Sequence, residues 1–264
     1  MTRTSRGAAW RVVALVAAVL VSTAQIGRRG GRGNRADPAT PCAGEPIQQV
    51  NYDGRFTFLR LRFEPSSDAG GWGDLKWNHD CYRGERHFAK ILKEITFIDP
   101  YTDASKIVSL DDPELFKYPI AYMCEPGFWT LTDREAANFR AYLLKGGFAI
   151  FDDFRDWDWQ NFDAQIHRVL PGAQLVELDE HQAVFDSFFR LKTIHFQQMY
   201  DRSPSHYYGI YEDNDPGKRL MVIVNYNNDI SEYWEWSDDG YVPIELSNEA
   251  YKLGVNYVMY GMTH

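Results

Sequence analysis

The 264-residue sequence predicts an α/β domain, a three-layer α/β/α sandwich on a mostly parallel sheet, with a C-terminal antiparallel hairpin added to it. Three observations carry that prediction. Between about residues 56 and 178, short apolar runs of strand length alternate with stretches of helical periodicity, the pattern of a parallel sheet with helices on both faces. The run FAIF at 148–151 is apolar at every position, as in a strand covered on both sides. Near the C-terminus, HYYGIY and RLMVIVNY are separated by EDNDPGK, a turn-forming stretch that reads as a hairpin.

The elements follow in order. FTFLRLRF, residues 56–63, alternates apolar and basic residues in its second half, as a strand does. The Gly-rich loop DAGGWGDLKWNHD leads into a helix at about 83–95, where Phe88, Ile91, Leu92 and Ile95 recur at helical spacing. KIVSL and PIAYMC are short strands. Residues 132–145 form a helix with Thr132 as N-cap, Glu135 as its capping-box partner, and Gly146 and Gly147 as the stop. Then come the strand FAIFDD, a helix at about 161–170, the strand AQLVEL, the hairpin, and a last helix at about 248–260. No internal repeat or second boundary interrupts residues 51–264, which read as one domain.

Residues 1–24 have the layout of a signal peptide: Arg3, Arg6 and Arg11, an apolar run from Val12 to Val21, then Ser22, Thr23 and Ala24. The run is too short for a bilayer span, so no stable membrane span is expected after cleavage and the chain reads as exported, periplasmic or secreted. Set against this are Arg28, Arg29, Arg32 and Arg35, positive charges just past the apolar run. Residues 25–50 read as a flexible Gly/Pro-rich linker. Net charge is −9, and the leader's three arginines without any acid leave −12 on the remainder, which argues against a nucleic-acid partner. The three cysteines, Cys42, Cys81 and Cys124, allow at most one internal bridge, with the pair left open. No CxxC spacing points to structural zinc.

Ligands of open α/β sheets bind outside the carboxyl ends of the strands. The residues just past each strand include Trp72 and Asp74; Cys124 and Glu125; Asp152 and Asp153; and Asn225, Asn227, Asn228 and Asp229. Trp72, Asp74, Glu125, Asp152, Asp153, Asn225 and Asn227 are therefore expected to line a polar crevice; helix capping is the competing role for each aspartate. The tryptophans fall near acids and amides, which suits a sugar or peptide, although lidding the sheet ends is the reading favoured for most of them. Cys124 is a weak candidate nucleophile, because Tyr122 and Pro126 stand where a nucleophile elbow needs small residues, and no His-x-Glu pair supplies a base. Asp152, Asp153 and His181 are the remaining weak catalytic candidates. No cofactor is predicted; the alternative is a divalent cation on these three, magnesium or calcium by its oxygen-rich ligands.

The stretches PIAYMCEPG, LTDREAANFRAYLLKGG, GGFAIFDDF and NYNNDISEYWEW, with the C-terminal segment after them, resemble the bacterial family of domains of unknown function numbered four-one-five-nine, over roughly residues 51–264. The resemblance implies export and a flavodoxin-like sandwich of the class I glutamine amidotransferase-like kind, and no particular activity. The departures around Cys124 imply that glutaminase chemistry is absent. Three readings result: a binder of a polar glycan or peptide ligand, a carboxylate- or metal-dependent hydrolase, and an interaction module with an envelope protein partner.

Overall fold

The computed structural model describes residue 42 and residues 48–67, 69, 74–191, 193–195 and 203–264. The expected leader, most of the linker, and Trp72 lie outside them. The elements are β1 (Gln48–Gln49), β2 (Leu59–Arg62), β3 (Glu64–Pro65), α1 (Arg83–Ile95), β4 (Ala104–Ser109), β5 (Ile120–Cys124), β6 (Trp129–Thr130), α2 (Asp133–Leu144), β7 (Phe148–Phe154), α3 (Asp158–Val169), β8 (Val176–Glu177), β9 (His206–Tyr211), β10 (Leu220–Tyr226), α4 (Ile230–Glu235) and α5 (Ile244–Thr263). Eight strands form one sheet in the order β1-β4-β2-β5-β7-β10-β9-β8, and β3 pairs with β6 in a separate two-stranded sheet. Every pairing from β1 to β10 is parallel, whereas β9 runs antiparallel to β10 and β8.

Period-two alternation in the central strands builds the three layers. Ile120, Tyr122 and Cys124 of β5, with Phe148 and Ile150 of β7, face a core that includes Phe88 and Leu92 of α1, Trp234 of α4 and Leu253 and Val255 of α5. Ala121 and Met123 of β5, with Ala149 and Phe151 of β7, face the opposite core with Phe139 and Leu143 of α2 and Phe162 and Ile166 of α3. Both faces are covered, as the unbroken apolar runs of β5 and β7 require.

The capping box of α2 is present as expected: Glu135 N–H donates to Thr132 Oγ1 at 3.2 Å, and Thr132 N–H to Glu135 Oε2 at 2.8 Å. The strand expected at AQLVEL shrinks to the two residues of β8 on the sheet's antiparallel edge, paired with β9. Helix α4 was not expected, although Asp229 with Glu232 three residues on carries the cap pattern; Glu232 N–H donates to Asp229 Oδ1 at 2.9 Å. Cys42 and Cys81 form the disulfide, and Cys124 is a buried free thiol.

Candidate functional site

Among the central parallel strands, chain order reads second, first, third, fourth, fifth across β4, β2, β5, β7 and β10. The order reverses between β2 and β5, so connections leaving their carboxyl ends diverge and open a crevice, the switch point where doubly wound sheets bind ligands. The loop at 74–82, on the path from β2 to α1, and the turn after β5 meet there.

The centre of the site is Cys124, the last residue of β5. Its Sγ lies 3.7 Å from Asp80 Oδ2 and 3.6 Å from Asp153 Oδ2. Alternation along β7 would send Asp153 to the α2/α3 face, away from Cys124; a left-handed backbone at Asp153 (φ 59°) ends the alternation and brings the carboxylate to the thiol. Asp80 also has left-handed backbone (φ 59°). Donor atoms of Asp80, Cys124 and Asp153 fall within 4.8 Å of one another, as do those of His79, Glu125 and Asp153, and those of Asp80, Glu232 and Glu235.

Glu125, not Cys124, occupies the elbow after β5. Its φ and ψ of 45° and 50° are left-handed, and the turn Pro126–Phe128 follows. A Cβ at Gly127 would overlap the Asp158 side chain, so glycine is what lets this turn pack beneath the start of α3. Glu125 Oε1 lies 2.7 Å from His79 Nδ1, and Oε2 lies 3.0 Å from Lys76 Nζ. Asp74 closes the ring, 2.9 Å from His79 Nε2 and 3.1 Å from Lys76 Nζ. Two carboxylates and two cations thus alternate along the rim.

Asp152 does different work. It is 0% exposed, and its carboxylate accepts hydrogen bonds from Asn225 Nδ2 at 2.9 Å, Ile230 N–H at 3.1 Å and Ser231 N–H at 3.2 Å. The Tyr122 hydroxyl lies 2.9 Å from Asp152 Oδ2 and 2.6 Å from Ser231 Oγ, and Ser231 donates onward to Asp80 Oδ2 at 2.6 Å. Asn225, also 0% exposed, accepts from the Tyr257 hydroxyl at 2.8 Å. Capping, weighed above for any one of these aspartates, is what Asp152 does, at the start of the distant helix α4 and not at the helix that follows it in the chain.

Crowded acids dominate the electrostatics. Burial, reinforced by the charge of Glu125, pushes Asp153 up to about 7. Burial and the nearby Asp80 and Glu232 push Glu235 up to about 8. Asp80 and Asp229 rise by burial and by repulsion from Asp153. Burial alone would lower His79, but the hydrogen bond and charge of Glu125 outweigh it and raise it to about 10. Each of these groups binds its proton more tightly folded than unfolded, so each contributes stability at low pH that is lost as pH rises through the folded value. For Asp153 the loss runs from about pH 4 to 7, and for His79 from about 6.5 to 10. With chelator present, the melting temperature is expected to fall steadily from about pH 5 to about pH 8.5; a flat or rising profile would contradict this crowding.

Of the expected crevice residues, Asp74, Glu125 and Asp153 meet at the site. Asp152 and Asn225 lie beneath it with no exposed surface, and Asn227 is turned toward Pro204, its Nδ2 3.5 Å from that carbonyl. His181 is exposed on the turn after β8, outside all three donor clusters found among the described residues. Trp77, Trp129 and Trp234 are core residues, while Trp157 is 81% exposed beside Asp158. Asp80, Lys76, Glu232 and Glu235 were not anticipated. The loop that holds the first two stood out in sequence for its glycines, but its fold against β5 is tertiary.

A doubly wound α/β domain with a thiol and carboxylates gathered at its switch point is the class these features define. The chain belongs to the family described as Domain of unknown function (DUF4159), whose model matches residues 57–262. No curated protein matches it. The family match runs from just before β2 into α5 and leaves Cys42 and β1 outside. Among the described residues no helix is long and apolar enough to cross a membrane.

Proposed function

We propose that the protein binds a divalent cation at the switch point, with Asp80, Cys124 and Asp153 as donors and the His79–Glu125 pair beside them. The observation that carries this reading is that donor atoms of Asp80, Cys124 and Asp153 lie within 4.8 Å of one another at the carboxyl ends of the strands, next to a second such triad, His79, Glu125 and Asp153, that shares Asp153. Side chains that repel one another at that spacing are relieved by a bound positive charge. Sequence alone suggested magnesium or calcium; the Cys124 thiol set between two carboxylates favours a borderline ion such as zinc, which would take Cys124 as thiolate. A glycan ligand draws less support, since Trp77, Trp129 and Trp234 are buried away from solvent. We read the scaffold as amidotransferase-like with a carboxylate, Glu125, at the elbow instead of a nucleophile. The leader-like N-terminus and the Cys42–Cys81 bridge together support export, because disulfides persist in oxidising compartments.

Hydrolysis is the second reading, favoured by Asp153 and Glu235. Both stand in the acid clusters of the crevice and are pushed up, Asp153 to about 7 and Glu235 to about 8, so each can take up and release a proton near neutral pH.

A thermal-shift series with zinc, manganese, magnesium, calcium and EDTA tests the first reading. At about 100 times its dissociation constant, a bound ion adds about 2.7 kcal/mol to stability. Zinc is expected to raise the melting temperature of the wild type, and Asp80→Asn or Asp153→Asn to abolish the rise. The reading is overturned by no response to any metal, or by a response that survives both substitutions.

A further inference from the structure

We infer that the Cys42–Cys81 disulfide is a redox-sensitive clasp on the cation-binding loop, so that its reduction switches the site off. The inference rests on the cation reading above. Residues 74–82 supply Asp74, Lys76, His79 and Asp80, one side of the crevice, and two of these, Lys76 (φ 62°) and Asp80 (φ 59°), sit in left-handed backbone. On the inner side the loop is held by Trp77, buried in the core, whose carbonyl accepts from Arg60 Nη1 at 2.9 Å. On the outer side the bridged pair and Tyr82 form a small buried cluster against Ile107 of β4, which also packs on the α2/α3 core. The disulfide spans 39 residues of sequence and ties Cys81, the residue after Asp80, to the segment that leads into β1. Opening it removes the covalent restraint from a loop whose Asp80 is pressed against Asp153, and repulsion then favours an outward shift of Asp80.

The chemistry is thiol–disulfide exchange. A dithiol reductant gives up two electrons and two protons, the Cys42–Cys81 bond breaks to two thiols, and the reductant leaves as its own disulfide.

Zinc binding by the full chain, measured calorimetrically for the oxidised wild type, Cys42→Ser and Cys81→Ser, tests the clasp. Both variants are expected to bind roughly tenfold more weakly or worse. Affinities within about twofold of the wild type would overturn the clasp while leaving the cation reading intact. No binding by the oxidised wild type would overturn the cation reading itself. Should a variant fail to fold, hydrogen exchange of the wild type with and without dithiothreitol decides: exchange at 74–82 is expected to rise about tenfold on reduction while β5 and β7 stay protected. Equal change throughout the domain would mark the bridge as a general staple and overturn the inference.

Discussion

Replacing Arg60 by leucine is expected to cost about 3–5 kcal/mol of stability, the range for breaking a buried ion pair from one side. Arg60 is 1% exposed and Glu85 2%, with Nε 2.6 Å from Oε1. The other oxygen, Glu85 Oε2, is buried with no hydrogen-bond partner among the described residues, so loss of the guanidinium strands a desolvated carboxylate. The guanidinium also lies 5.1 Å from the centre of the Tyr122 ring and donates to the Trp77 carbonyl, which couples the pair to the floor and the loop of the crevice. Because the penalty is mostly the orphaned charge, the double variant Arg60→Leu, Glu85→Leu is expected to recover most of the loss. Urea unfolding of the two single variants and the double variant checks this; a double variant no better than Arg60→Leu would show that packing, and not charge, carries the effect.

Asp152→Ala is the second large effect, expected to cost about 3 kcal/mol or more. Four donors converge on that carboxylate, and removing it leaves the amides of Ile230 and Ser231 and the Asn225 side chain without their acceptor. The damage should spread, because α4 carries Trp234, stacked on Phe88 of α1 at 4.5 Å between ring centres. Asp153→Asn is expected to behave in the opposite way. It removes one charge from a crowded cluster and leaves stability unchanged or higher, while abolishing cation binding. Unfolding midpoints for the two variants side by side separate a supporting aspartate from a site aspartate; equal destabilisation would deny the distinction.

Neighbouring aspartates with opposite roles show where sequence reading stops. Their place at the end of an apolar strand was legible, because a run such as FAIF has few ways to be buried other than inside a sheet. Which of the two caps a helix was not, because the helix in question, α4, follows β10, far along the chain. His79 and Asp80 precede α1 in sequence and resemble ordinary helix-leading residues; only the return of their loop against the end of β5 makes Asp80 a partner of Cys124 and His79 a partner of Glu125. The elbow was sought at Cys124 from the spacing of small residues, and the backbone turns one residue later, at Glu125, with Gly127 as its small neighbour. The helix expected at 161–170 begins at Asp158 and the last helix begins at Ile244, boundary differences of the kind that end fraying and capping produce.

Local chemistry was enough to determine the alternating elements, the capping box of α2, the parallel centre with its antiparallel edge, and the clustering of polar residues beyond the strands. These follow from periodicity, turn residues and the cost of burying charge, all of which act between near neighbours in the chain. The disulfide pair, the buried Arg60–Glu85 contact, the Asp152 cap on α4 and the Asp80–Cys124–Asp153 cluster were decided only by the tertiary structure. Each joins residues at least 25 positions apart, and pairing over such distances is set by strand order at the switch point, which hydrophobic pattern does not encode.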